Sequence, residues 1–179
     1  MKKMIFLLMV FGMILIMPIS FGALTDGLII HFTHDNADTV GIYSVNSLSK
    51  EFNGTITGVT SVVGKLGQAR KFDGIDDKIE FSSPSIPENI SICLWVNASS
   101  YGTGSWVSKT TVNTGVQFYT RTSDNQIVLR GGGDTSEAKT STSPLDPNNW
   151  MFVCATINKT FGMIYLNGTA LNNGTVNAL

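Results

Sequence analysis

The chain has 179 residues, 42% of them hydrophobic and 14% charged, and a formal net charge of −1. That length supports one domain around a single core and is short for two. The near balance of acidic and basic side chains argues against a nucleic-acid or anionic-lipid surface.

Lys2 and Lys3 are followed by an apolar run from Met4 to Met17, then Pro18 and small residues. This is the pattern of a secretory signal peptide over residues 1–22, with Ser20 and Gly22 suited to a cleavage that leaves Ala23 first. The run is shorter than the roughly 20 residues a spanning helix needs, so an uncleaved anchor is the weaker alternative. Membrane contact is therefore expected only through this segment. Its removal takes away Lys2 and Lys3 and leaves ten basic against thirteen acidic side chains, a net charge of −3. Export would carry Cys93 and Cys154 into an oxidising compartment where a disulfide persists. The expected localisation is secreted or cell-surface.

Beyond the leader, no window carries apolar residues at helical spacing. Short runs rich in β-branched and aromatic residues appear instead at 27–33 (GLIIHFT), 69–72, 78–81, 90–97 (ISICLWVN), 105–110, 115–121, 126–131, 149–158 (NWMFVCATIN) and 162–168. Gly, Asn, Ser-Pro and Asp-Pro turn signals separate them, which predicts an all-β sandwich or jelly roll over residues 23–179. In 90–97, Ile90, Ile92, Leu94 and Val96 share one face, and Ser91, Cys93, Trp95 and Asn97 share the other. In 149–158, Met151, Val153, Ala155 and Ile157 oppose Trp150, Phe152, Cys154 and Thr156. If these strands are neighbours, the aliphatic faces form the core and both cysteines fall on one side, where a bridge is geometrically reasonable. Trp95 and Trp150 are expected in the core.

KFDGIDDKIEF (71–81) gathers Asp73, Asp76 and Asp77 around Gly74. Three readings compete: a turn, a metal loop and a catalytic acidic pair. Asp-Gly between apolar runs is a strong turn signal. The spacing does not fit a helix–loop–helix calcium loop, although Asp76 or Asp77 could supply an oxygen to calcium, which needs 6 to 8 such ligands. His31 and His34 sit three apart, which on a strand sends them to opposite faces and disfavours a shared metal. The glycines of RGGGD (130–134) come without the Lys-Ser/Thr that grips phosphate, so a sandwich loop is expected there. Tyr101, Trp106, Tyr119 and Arg121 lie in the less regular middle strands and are the candidates for a saccharide platform, with ordinary packing as the alternative for each. Six Asn-x-Ser/Thr sequons occur, at Asn53, Asn89, Asn97, Asn158, Asn167 and Asn173. They fit a glycosylated surface, or simply a chain rich in Asn, Ser and Thr.

Four segments in order resemble the concanavalin A-like lectin/glucanase superfamily in its laminin G and pentraxin branches. GLIIHFTHD is similar to the opening strand, GKLGQARKFDGIDDKIEF to the segment that turns at a sheet rim, ISICLWVN to a central strand, and NNWMFVCATINKTFGMIYLNG to a hairpin closing on Asn-Gly. The resemblance implies a jelly-roll sandwich of two antiparallel sheets and a disulfide between Cys93 and Cys154. It also implies further strands after the hairpin, ending in one that pairs beside the opening strand. TALNNGTVNAL, after Gly168, lacks that pattern, so the fold is expected to be incomplete at its carboxyl end, as a fragment or with a strand supplied by a partner chain. The pentraxin His-x-Cys signature and its later acidic calcium cluster are absent.

The glucanase run Glu-x-Asp-x-x-Glu is absent too, and Glu51, Glu80, Glu88 and Glu137 are scattered, so hydrolysis with paired carboxylates is not expected. The resemblance implies a non-catalytic domain that binds a glycan or a cell-surface protein in adhesion, with no required cofactor and calcium as an optional one. An accessory module of a secreted polysaccharide-degrading enzyme and a structural surface-layer domain are the alternatives.

Overall fold

The computed structural model describes residues 27–35, 39–40, 43–47, 51–82, 85–102, 104–111, 114–132, 137–140 and 144–176; the expected leader, 1–22, lies outside them. No helix is present among the described residues, and none is therefore long and apolar enough to cross a membrane. All strand pairings are antiparallel.

An amino-terminal sheet orders β1 (Thr39–Val40), β2 (Tyr43–Ser44), β3 (Gly54–Thr57) and β6 (Lys78–Phe81) side by side, and β4 (Thr60–Val63) with β5 (Gln68–Lys71) forms a separate hairpin. The disulfide sheet runs β14 (Thr169–Thr175), β13 (Phe161–Leu166), β12 (Met151–Asn158) and β7 (Asn89–Val96). The arginine sheet runs β11 (Glu137–Lys139), β10 (Gln126–Gly131), β9 (Thr114–Arg121) and β8 (Ser105–Thr111).

The core lies between these last two sheets. Val96, Met151, Val153, Ala155, Ile157 and Ile164 from one inner face join Val116, Phe118, Ile127, Leu129 and Ala138 from the other in a single buried cluster. This is the alternation expected from the sequence, because side chains along a strand point to opposite faces and only one face can be buried in a two-layer structure. Each buried aliphatic or aromatic side chain contributes roughly 1.5–3 kcal/mol relative to exposure. Gly162 on β13 permits the layers to close, since a Cβ there would come within 3.0–3.2 Å of Val176, Leu129 and Ala138. At the same edge the Asn172 amide on β14 donates to the Lys139 carbonyl on β11.

β7 and β12 are neighbours in the expected register, with Cys154 opposite Cys93, and the two cysteines form a disulfide. Two expectations are corrected. Trp95 is 40% exposed on the outer face beside Phe152 and is not a core residue. The segment 27–33 is not a strand, because a side chain occupies the place of a pairing partner. Asn46, fully buried, accepts from the His31 amide at 3.0 Å and donates to the Glu51 carbonyl at 3.0 Å, while the Ser47 amide donates to the His31 carbonyl at 2.9 Å. After the tight Asn167-Gly168 turn the chain continues as β14, which pairs with β13.

Candidate ligand-binding face

Strand alternation turns Tyr119 and Arg121 of β9, Gln126, Val128 and Arg130 of β10, and Glu137 and Lys139 of β11 to the outside of the arginine sheet. Cross-strand register sets Arg130 opposite Glu137 and Gln117, Arg121 opposite Gln126, and Tyr119 opposite Val128. Glu137 is the hub. Its Oε1 accepts from Arg130 Nη2 at 2.5 Å and from the Tyr119 hydroxyl at 3.1 Å, and its Oε2 accepts from Arg121 Nη1 at 2.6 Å. Arg121 also forks onto Asp124, Nε to Oδ1 at 2.9 Å and Nη2 to Oδ2 at 2.6 Å, and reaches Gln126 Oε1 at 3.1 Å. The Arg130 guanidinium stands 5.5 Å from the Tyr119 ring centroid, within cation–π range. Val128 is fully buried although strand alternation turns it outward.

The electrostatics follow from the contacts. Burial pushes the Glu137 carboxyl up, and the bonds from Arg130 and Arg121 outweigh it, holding the group below its ordinary value. Arg121 is pushed up, chiefly by its bond to Asp124 against the cost of burial, and Asp124 is held low by the same bond. Burial raises Tyr119, with the Glu137 charge adding to it, so the phenol stays protonated and donates. A general acid in glycoside hydrolysis needs a raised carboxyl. Glu137 is shifted the other way, toward a permanent anion that anchors donors.

The four platform candidates separate. Tyr119 and Arg121 meet on this face. Tyr101 and Trp106 pack against the core instead, where the Tyr101 hydroxyl accepts from the Leu145 amide at 2.9 Å and Trp106 stands edge-on to Phe118 with centroids 5.3 Å apart. The residues that sequence reasoning did not connect are Arg130 and Glu137. The signal available for them was weak: a charge on each of two short strands flanking a glycine-rich turn.

KFDGIDDKIEF forms the turn that Asp73-Gly74 announces. Gly74 has φ +80°, Asp73 Oδ1 accepts from the Ile75 amide at 2.8 Å and the Asp76 amide at 3.3 Å, and Asp77 Oδ2 accepts from the Asp73 amide at 2.8 Å. The bond from the Ile75 amide, more than any other cause, holds the Asp73 carboxyl low. Carboxylate oxygens of Asp73, Asp76 and Asp77 lie within 4.8 Å of one another and could hold a metal ion such as calcium. His31 Nδ1 lies 2.8 Å from the Ser47 hydroxyl and His34 Nδ1 3.2 Å from the Ser44 hydroxyl, so each imidazole has a hydroxyl partner of its own. Desolvation, then the charge of Arg70, lowers His34 to about 4.

A family model, Laminin_G_3 of the Concanavalin A-like lectin/glucanases superfamily, matches residues 73–178, more than half of the chain. Among solved structures the chain is similar to domain 4 of AbnA, a GH43 extracellular arabinanase from Geobacillus stearothermophilus, determined in complex with arabinotriose. The two share 20% identity and a TM-score of 0.62 over 82% of this chain and 74% of that one. Comparison with curated proteins gives no match.

Proposed function

The chain belongs to the concanavalin A-like lectin/glucanase superfamily, and from that premise we propose that it is a secreted, non-catalytic carbohydrate-binding domain whose ligand lies on the outer face of the arginine sheet. The observation that carries the reading is the set of polar side chains around Glu137, whose rotamers are locked by mutual hydrogen bonds before any ligand arrives. Sugar hydroxyls are recognised by fixed donors and acceptors, and groups already ordered lose little entropy on binding. Gln117 adds an amide to the same face, while Tyr119, buried at 8% exposure, holds Glu137 through its hydroxyl. Domain 4 of AbnA, solved with an arabinose oligomer, supports a sugar as the ligand class. Because that neighbour is one domain of an extracellular arabinanase, it favours the accessory-module setting over a stand-alone adhesive one.

A glycan array probed with the chain from Ala23 onward, once with calcium and once with chelator, tests the proposal. We expect retention on a defined glycan class in both conditions. Arg121→Lys, which keeps the charge and loses the planar fork, should weaken binding by about tenfold or more with a cooperative melt retained. Trp95→Ala on the opposite face should bind normally. Absence of any retained glycan, or loss of binding with Trp95→Ala and not with Arg121→Lys, would remove the proposal.

A further inference from the structure

All six sequons fall within the described residues, and they are not spread evenly. Asn89 and Asn158 are register partners at one end of the β7–β12 pair, on the side of Cys93 and Cys154. Asn97 and Asn167 follow the other ends of β7 and β13. Asn173 lies opposite Met163 on β14, on the same outer side. Five of the six sequons thus share the outer face of the disulfide sheet and its rims, each with an exposed asparagine. The sixth, Asn53, is tied to the amino-terminal segment through its Oδ1, which accepts from the Asn46 amide at 3.0 Å. The outer face of the arginine sheet carries none. Sequons arising from composition alone would not favour one side of the sandwich.

Two of the five have a further feature. Trp95-Val96-Asn97-Ala98-Ser99 and Tyr165-Leu166-Asn167-Gly168-Thr169 each place an aromatic ring two residues before the asparagine. Trp95 and Tyr165 are the last outward-facing residues of β7 and β13, and Asn97 and Asn167 lie just beyond those strand ends, Asn167 in the turn with φ +49°. Each ring is thus a near neighbour in sequence of the residue that would carry a sugar. Trp95 is 40% exposed, Phe152 packs on it at 5.2 Å between centroids, and Lys65 from the β4–β5 hairpin stands 5.5 Å from its centroid. Lys65 is an exposed, flexible side chain that can yield the ring. Asn167 extends the pairing with β12, its amide donating to the Phe152 carbonyl at 2.8 Å and its Oδ1 accepting from the Phe152 amide at 2.9 Å, which orients the carboxamide. Ser99 and Thr169, the hydroxyl positions, are exposed.

We propose that Asn97 and Asn167 carry N-linked glycans whose first sugars stack on Trp95 and Tyr165, making the outer face of the disulfide sheet a glycan-covered face and leaving the arginine sheet open. The donor is a lipid-linked oligosaccharide phosphate or diphosphate, used by the oligosaccharyltransferase of the exporting cell. Asn Nδ2 attacks the anomeric carbon, a C1–Nδ2 bond forms, and the C1–O bond to phosphate breaks. The lipid phosphate departs with that electron pair, and one amide proton leaves Nδ2. The sugar C–H face then covers an aromatic surface that would otherwise meet water. The inference is independent of whether the arginine sheet binds carbohydrate.

Expression of the full chain in a secretory host that N-glycosylates, with a reporter glycoprotein in the same cells, provides the test. Glycopeptide mapping should find Asn97 and Asn167 occupied. Loss of both glycans through Asn97→Gln with Asn167→Gln should lower the melting temperature by roughly 2–4 °C. In a Trp95→Ala, Tyr165→Ala background the same pair of changes should have less than half that effect, since the stacking partners are already gone. Unmodified Asn97 and Asn167 in cells that modify the reporter would overturn the proposal. So would an equal melting shift in both backgrounds, which would leave the glycans attached but not stacked.

Discussion

The outer face of the disulfide sheet carries Trp95, Phe152, Tyr165 and the Cys93–Cys154 bridge; the outer face of the arginine sheet, above an inner face of the same aliphatic kind, carries Tyr119, Arg121, Arg130 and Glu137. Inner faces are alike because burial favours apolar groups packed at high density. Outer faces are free of that demand, so they differ where the protein's tasks differ. One is held by a covalent link and aromatic surface and the other by charge-assisted hydrogen bonds, and the two should respond to different insults.

The largest effect should come from the covalent face. Replacing both cysteines with alanine opens a loop with a sequence separation of 61, which the chain-entropy model values at roughly 4 kcal/mol. Chemical denaturation under non-reducing conditions measures it. A loss below about 1 kcal/mol would mean that β7 and β12 hold their register without the bridge.

Acid should separate the regions next. His34 is lowered from 6.5 to about 4, so the unfolded chain takes up a proton that the folded chain refuses. Its stabilisation is therefore complete above pH 6.5 and is lost as pH falls from there toward 4, by about 2 kcal/mol after allowing for partial solvent access. Glu137 is also depressed, so its contribution is present above the ordinary carboxyl range and is lost only at lower pH. Thermal melts across this range should show the His34 component first, and His34→Gln should remove that component alone. An unchanged profile in His34→Gln would place the titration elsewhere.

A smaller effect is expected from Glu137→Gln, which leaves Arg121 and Arg130 beside a neutral amide. About 1–2 kcal/mol should be lost, less than for a fully buried pair because these side chains keep some contact with solvent. Added salt should narrow the difference between variant and parent. If salt has no effect, the network is held by packing and not by charge.

The smallest concerns the acidic turn. Its aspartates already serve backbone amides at 2.8–3.3 Å, so the turn stands on its own bonds. Chelation should leave the melting temperature unchanged, and Asp73→Ala should lower it slightly through loss of the Asx turn. A chelator-induced fall that Asp76→Asn with Asp77→Asn abolishes would assign the three carboxylates to calcium.

Much of this arrangement was legible before the fold was known. Alternation in 90–97 and 149–158 identified the inner residues, and the spacing of the cysteines on their strands matched the pairing found. Trp95 was misplaced because alternation tells which residues share a face and is silent about which face is covered. Asn46 gave no local sign of its role, since replacing a strand by one side chain depends on segments about 15 residues apart meeting. The cluster at Glu137 escaped for a similar reason, as it is assembled from three strands through register. The sequence by itself determined the period-two pattern, the turns at Asp73-Gly74 and Asn167-Gly168, and the residues able to form a core, all of them consequences of neighbours along the chain. Only the tertiary structure decided that five sequons share one side and that two arginines converge on one glutamate, because those outcomes depend on how strands distant in sequence are registered against each other.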